Sequence, residues 1–145
     1  MVCIDKVTLN FRWTPEYLAG LFDGEGCVLL QWGRGLGFYI FLQISIETAY
    51  ARHLKAYLES IMIESHITKH ENNLGCSTNL RINRLPNVER FVDMIFDHVI
   101  LKKRQLQLAK EAIRLKRLYH GQNGMHYEEL NEVRHRMHSL SNKGP

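Results

Sequence analysis

Hydrophobic residues recur with helical spacing near the amino-terminal end of the chain. Leu18, Leu21 and Phe22 stand at positions i, i+3 and i+4, which places them on one face of a helix. Just upstream, a threonine precedes Pro15, so a hydroxyl N-cap is followed by a proline at the first helical position. These features predict a short helix from about Pro15 to about Asp23, with its apolar stripe turned toward a core.

Two further segments show the same periodicity. Thr48 is the predicted cap of a second helix, and Pro86 opens a third. Each helix carries an apolar stripe, which is Leu54, Tyr57, Leu58 and Ile61 in the second and Val88, Phe91, Val92 and Ile95 in the third. Each stripe predicts a helix that packs one face against a core.

The segments between the helices have the alternation and the turn residues of β-hairpins. Cys27–Trp32 and Phe38–Glu47 flank a glycine-rich turn, and Ile67–Glu71 and Asn79–Arg84 flank a loop with asparagines and a glycine. Polar and apolar residues alternate in the second and fourth strands, so each exposes a polar face. The sequence therefore predicts an α+β fold in the order αββαββα. We expect a curved, antiparallel four-stranded sheet with helices on one face and extra C-terminal helices.

The composition is that of a globular chain with a small basic excess. The 145 residues predict a single domain, 1–145, in which residues 121–145 form a polar C-terminal extension. Lys and Arg outnumber Asp and Glu by 19 to 15, a balance compatible with a polyanionic partner. Three cysteines without C-x-x-C spacing indicate neither a disulfide framework nor a zinc site. With no membrane-length apolar run and no secretion signal, we expect an intracellular protein without a membrane partner, in a bacterial cytoplasm or an organelle.

The nine residues 18–26, Leu-Ala-Gly-Leu-Phe-Asp-Gly-Glu-Gly, carry the chemistry of the chain. Gly20 and Gly24 are four residues apart and share a helix face, where their missing side chains allow a second backbone to approach closely. Asp23 and Glu25 follow at the carboxyl end of the helix. Unpaired carbonyl groups and the negative end of the helix dipole make this end suitable for a cation.

This stretch resembles the signature of the LAGLIDADG homing endonucleases. Six of its nine positions are identical, and Phe22 replaces isoleucine, Gly24 replaces alanine and Glu25 replaces aspartate. The resemblance implies the αββαββα architecture, which the hydrophobic pattern predicts independently. It also implies a site-specific double-strand DNA endonuclease, encoded in an intron. Such an enzyme hydrolyses phosphodiester bonds with a metal ion and acts as a homodimer on a long, near-palindromic site.

The resemblance also assigns roles to individual residues. Glu25 is the implied catalytic acid and metal ligand, with the Gly24 carbonyl as a second ligand and Mg²⁺, or another divalent cation such as Mn²⁺, as cofactor. Lys102, preferred over Lys103, is the implied catalytic cation that holds a phosphate oxygen or stabilises transition-state charge. One-motif relatives pair through this helix, and Asp23 is expected to accept hydrogen bonds from the amino terminus of the partner helix. The implied dimer interface is Ala19, Gly20, Asp23 and Gly24.

Recognition of double-stranded DNA is assigned to the polar faces of the predicted hairpins. A two-stranded ribbon fits the major groove, where Arg pairs with guanine and Asn or Gln with adenine. Ile46 departs from the family pattern, in which many relatives carry a polar residue near the active site. The candidates by strand parity are Gln31, Gln43, Ser45, Thr68, His70, Asn79, Arg81 and Asn83, and Arg34 at the first hairpin tip is placed to reach a phosphate.

Other functions on the same fold stay open at this point. Some relatives are RNA maturases that help an intron fold, and a basic sheet face is equally compatible with intron RNA. Others are non-catalytic DNA-binding regulators that have lost the acid, an interpretation that the retained Glu25 disfavours. A basic domain with a purely structural role is the third alternative. Linearisation of DNA on addition of Mg²⁺ distinguishes the endonuclease from all three.

Overall fold

A computed structural model of the chain describes residues 12–33, 37–69, 77–118 and 127–142. The predicted α+β class and the order αββαββα with further helix are confirmed. The elements are α1 (Pro15–Glu25), β1 (Gly26–Trp32), β2 (Phe38–Glu47), α2 (Thr48–Ser60), β3 (His66–Lys69), β4 (Ser77–Ile82), α3 (Leu85–Ile95), α4 (Lys103–Leu118) and α5 (Tyr127–Asn142).

The four strands form one antiparallel sheet in the order β1-β2-β4-β3, so β1 and β3 are its edges. Gln43 of β2 stands opposite Cys27 of β1 and opposite Arg81 of β4, and Thr68 of β3 stands opposite Asn79. This register gives the sheet two different faces. The face turned away from the core, hereafter the open face, consists of Cys27, Leu29, Gln31, Tyr39, Phe41, Gln43, Ser45, His66, Thr68, Asn79 and Arg81.

The other face of the sheet is apolar and is covered by helices. Leu42 and Leu80 from neighbouring strands are fully buried there. Helix α1 contributes Phe22, whose ring lies 6.2 Å from that of Phe91 of α3. The stripes predicted for the first three helices supply most of the helical side of this core, because each places its apolar residues on one helix face.

Two helix ends differ from the prediction. Helix α1 continues to Glu25 instead of ending near Asp23, because the Gly26 N–H still bonds to the Phe22 carbonyl before the backbone becomes extended. A side chain at position 26 would overlap the Phe22 ring, which explains the glycine there. Thr48 is the first helical residue and not the cap of α2, since its hydroxyl lies 2.6 Å from the Thr78 hydroxyl of β4.

Helix α5 occupies Tyr127–Asn142 of the polar extension expected at 121–145, and it is packed against the fold. Leu130, Val133 and Met137 are buried, and the Trp32 indole N–H donates to Asn131 Oδ1 at 2.6 Å. A narrow apolar stripe on an otherwise charged helix is therefore enough to attach α5 beside β1 and α4. None of the helices in the described part of the chain is long and apolar enough to cross a membrane.

Candidate functional site

The junction between α1 and β1 places a carboxylate at the surface. Thr14 and Pro15 begin α1, with the Thr14 hydroxyl accepting from the Tyr17 N–H, and the helix ends at Glu25. Glu25 is exposed, and the next residue is the first of β1. The predicted acid therefore stands where the carboxyl end of a helix meets one end of an edge strand.

Asp23 is bound within its own chain. Its two carboxylate oxygens accept hydrogen bonds from the backbone N–H groups of Ile100 at 2.8 Å, Leu101 at 3.1 Å and Lys102 at 3.0 Å. These residues lead directly into α4, and N–H groups at the start of a helix lack helical partners and attract negative charge. The structure thus corrects the prediction that Asp23 binds the amino terminus of a partner helix: what it binds is the turn that precedes α4 in its own chain.

Lys102 lies against the end of α1. Its Nζ donates to the Phe22 carbonyl at 3.0 Å and to the Gly26 carbonyl. The two carbonyls lie at the junction of α1 and β1, where the negative end of the helix dipole favours a cation. Lys103 points elsewhere, with its ammonium bonded to the Phe96 carbonyl and 3.9 Å from that ring. Of these two lysines, Lys102 is the one at the helix end that carries Glu25, while its catalytic role stays a prediction.

The predicted pairing face of α1 divides into an open and a buried part. Gly20 and Gly24 are exposed, and a Cβ built on either one meets no atom within 4 Å, so the described part of the chain gives no packing reason for a glycine at these positions. Ala19 is 0% exposed and belongs to the core of its own chain. Its inclusion in a dimer interface is therefore corrected, because a partner could not reach it.

Metal-binding groups are few near the helix end. Among the described residues, no three His, Cys, Asp or Glu side chains come close enough to hold a metal ion. The Asp23 oxygens are engaged with backbone N–H groups. Glu25 and the Gly24 carbonyl are oxygen ligands of the type that Mg²⁺ prefers, so they fit such an ion as part of a ligand set. The remaining ligands would come from water, from substrate phosphate or from a second copy of the chain.

Several predicted DNA-binding side chains meet on the open face. Arg81 Nε donates to Gln43 Oε1 at 2.7 Å, and the guanidinium carbon lies 5.7 Å from the centre of the Phe41 ring. The pair is only partly buried, and together the two side chains have donors and acceptors beyond the one hydrogen bond between them. Gln31, Thr68 and Asn83 are exposed, the last directly after β4, whereas Arg34 and His70 lie outside the described residues.

Asn79 differs from its prediction as a base-contacting residue. Only 5% of it is exposed, and its Oδ1 accepts a hydrogen bond from the Ser45 hydroxyl at 2.6 Å. Its backbone oxygen faces the Thr68 hydroxyl at 3.4 Å. Asn79 therefore orders its neighbours, and Ser45 and Thr68 are the more accessible members of this cluster.

Three further residues of the open face were not predicted as part of the site. His66 stands opposite Arg81 and lies on the same face of the strand as Thr68. It was missed because the predicted strand begins one residue later. Tyr39 is exposed opposite Gln31. Cys27 has a thiol whose pKa is raised by burial and partly lowered again by the charges of Lys102 and Arg81.

The contacts of Asp23 predict a measurable contribution to stability. Asp23→Ala removes a charged acceptor from three N–H groups, and we expect the free energy of unfolding to fall by roughly 1–2 kcal/mol, as for the loss of a helix cap. Urea denaturation measures this change. Asp97→Ala is the matched control, since Asp97 is exposed and should matter by no more than about 0.5 kcal/mol. Equal losses in the two variants would contradict the anchoring role.

Homing endonucleases of known structure share this fold. I-TnaI superposes with a TM-score of 0.73 at 14% sequence identity, over 91% of this chain and 96% of that chain. I-CvuI in complex with a DNA target gives a TM-score of 0.70 at 14% identity, over 87% of this chain and 80% of that chain. The meganuclease I-AabMI bound to uncleaved DNA gives 0.71 at 20% identity over 86% of this chain, which spans 44% of its length.

The sequence comparisons agree with the structural ones at the level of the family. No curated protein sequence matches this chain. A family profile, that of the LAGLIDADG-like domain, matches residues 13–95, which run from just before α1 to the end of α3. The matched residues include the helix end with Glu25 and every strand of the sheet, and they make up more than half of the chain. The chain therefore belongs to the LAGLIDADG family.

Proposed function

We propose that this chain forms a homodimeric endonuclease that hydrolyses phosphodiester bonds in both strands of DNA, with Mg²⁺ or Mn²⁺ as cofactor. Its target would be a long, near-palindromic site. The observation that carries the proposal is the position of Glu25, an exposed carboxylate in the last residue of α1, directly before β1 and at the helix end whose carbonyls bind the Lys102 ammonium. The DNA complexes of structurally similar endonucleases support the choice of substrate.

The chain's own groups suit phosphodiester hydrolysis. Glu25 and the Gly24 carbonyl would hold a divalent ion, which supplies an activated water and neutralises charge on the phosphate. Mg²⁺ is commonly bound by one or two carboxylates together with substrate phosphates, so one carboxylate per chain suffices when DNA and a second chain are present. The Lys102 ammonium would stabilise negative charge on the phosphate under attack. Two paired chains would then offer one Glu25 to each DNA strand.

Pairing through α1 is supported by the surface around its two open glycines. Gly20 and Gly24 leave the helix backbone uncovered, so another helix can approach it closely. Ile100 and Leu101 are 81% and 78% exposed, and Asp23 holds their backbone against the same helix. Large aliphatic side chains that are fixed at the surface are typical of an interaction site. A symmetric partner would cover them with the matching surface of a second copy.

The experiment that tests the proposal uses purified protein and plasmid DNA with a library of candidate sites. We expect linear product only when Mg²⁺ or Mn²⁺ is added. Binding to DNA without linearisation under any metal condition would support the non-catalytic regulator instead. Preferential binding of folded intron RNA, again without cleavage, would support the maturase.

Removal of Arg81 from its pair with Gln43 should reduce the sequence preference of DNA binding. Arg81→Ala should weaken binding to a preferred site by about 1–3 kcal/mol and relax selection at one base position, because an arginine in the major groove pairs with guanine. Binding to duplexes that vary at each position measures this. Arg117→Ala, which removes an arginine paired with Glu89 between α3 and α4, is the control. An equal loss on all sequences would make Arg81 a phosphate contact.

A further inference from the structure

A cleft separates the edge strand β1 from helix α5. It has a volume of about 370 Å³ and is lined by residues 28–31 of β1 and by Arg134, Met137 and His138 of α5. Among the described residues that line it, Arg134 is positively charged, His138 becomes so when it is protonated, and none is acidic. The strand residues include Gln31, so the cleft borders the open face.

Arg134 is an unusual member of this lining. Its Nε atom is buried and has no hydrogen-bond partner among the described residues. A buried polar group without a partner is costly, and a charged one more so. Its neighbour Arg136 behaves differently, since its guanidinium bonds to Glu132 at 2.6 Å and lies 3.9 Å from Glu111. The cleft therefore holds a cation for which the described part of the chain supplies no anion.

We propose that this cleft binds a phosphate group of the DNA backbone at the flank of the open face, an inference that rests on the proposed DNA-binding function. Four strands have three gaps of about 4.8 Å, so the sheet is about 14 Å wide. The major groove of B-DNA is about 12 Å wide. When the strands lie along the groove, the two DNA backbones that border the groove run beside the two edges of the sheet. Arg134 lies at the β1 edge.

The donors of the cleft suit a phosphodiester. A guanidinium group offers paired planar donors that match phosphate oxygens. His138 adds a ring N–H, and an edge strand such as β1 turns every second backbone N–H away from the sheet. Contacts to phosphate position a protein on DNA without reading sequence. Helix α5, which lies outside the family match at 13–95, would thus add affinity and orientation to a surface that reads bases elsewhere.

Arg134→Gln tests the proposal in the full chain. Binding is measured at several salt concentrations, without divalent metal so that DNA stays intact, on a duplex with a preferred site and on a scrambled one. We expect the magnitude of the slope of log K against log salt to decrease by about 0.9 per subunit, or about 1.8 for the proposed homodimer, and affinity for both duplexes to fall roughly tenfold per subunit. Arg134→Lys should keep the slope, since it keeps the charge. Arg136→Gln is the matched control and should leave the slope unchanged.

Each outcome has a distinct meaning. If the wild type binds DNA and Arg134→Gln keeps its slope, the phosphate site is overturned while the DNA-binding function stands. If the wild type binds no duplex, the proposed function fails and this inference fails with it. A loss confined to the preferred duplex would reveal a base contact and overturn the backbone assignment. The midpoint of thermal unfolding should not fall in Arg134→Gln, because Nε has no partner to lose among the described residues; a lower midpoint with an unchanged slope would make Arg134 structural.

Discussion

Glu25→Gln should abolish metal-dependent cleavage while DNA binding is largely retained. The substitution keeps the shape of the side chain and removes the negative charge that holds the cation. Changes to groups that only support a metal ligand typically cost 10–100-fold, so loss of the ligand itself should reduce cleavage by more than about a hundredfold. The measurement is plasmid linearisation at several Mg²⁺ concentrations, together with duplex binding in the absence of metal.

A matched control is available at the other end of the same helix. Glu16 is exposed, and its carboxylate lies 3.8 Å from His98 Nε2, so Glu16→Gln makes the same change of charge far from the proposed site. We expect this control to cleave as the wild type does. Cleavage at the wild-type rate by Glu25→Gln would show that another group holds the metal.

Gly20→Leu should convert the dimer to monomers and eliminate cleavage while each chain stays folded. Within one chain a side chain at position 20 enters open space, so the fold should tolerate leucine. Across a twofold axis the same side chain would be forced between two helices, where overpacking costs roughly 1–3 kcal/mol. Sedimentation at micromolar concentration measures the association, and circular dichroism verifies the fold.

Ala56→Leu is the control for the added hydrophobic surface, because Ala56 is an exposed small residue of α2. It should leave both association and cleavage unchanged. Identical subunits read identical half-sites, so sites selected from a random library should be palindromic or nearly so. A wild-type protein that sediments as a monomer and cuts an asymmetric site would overturn the pairing through α1.

The sequence predicted those parts of the fold that depend on local periodicity. The stripes of Leu18, Leu21 and Phe22 and of their counterparts in the next two helices specify which helix face is buried, and this holds in the structure except at Ile61, which follows the end of α2 and is exposed. Strand alternation likewise separated Gln43 and Arg81 from Leu42 and Ile82. These predictions succeed because a helix or strand repeats its geometry every few residues.

Contacts between distant parts of the chain could not be predicted in this way. Asp23 bonds to backbone groups 77 to 79 residues away, and nothing in its local sequence indicates that α4 begins beside it. Strand parity placed Asn79 on the correct face, but only the register reveals that Ser45 engages its amide. Helix α5 appeared as a polar extension because three apolar residues are a weak signal until β1 and α4 are seen to receive them.

The Asp23 contact has a mechanical consequence. Glu25 and Lys102 belong to separate helical regions. The carboxylate of Asp23 in α1 accepts a hydrogen bond from the backbone at the start of α4, and the Lys102 ammonium donates to carbonyls at the end of α1. Because these contacts join the end of α1 to the backbone that leads into α4, we expect Lys102 to keep its position relative to α1 during any movement of that helix. Under the proposed function, the relative position of Glu25 and Lys102 would be set within each subunit, and dimerisation would bring two such pairs to the same stretch of DNA.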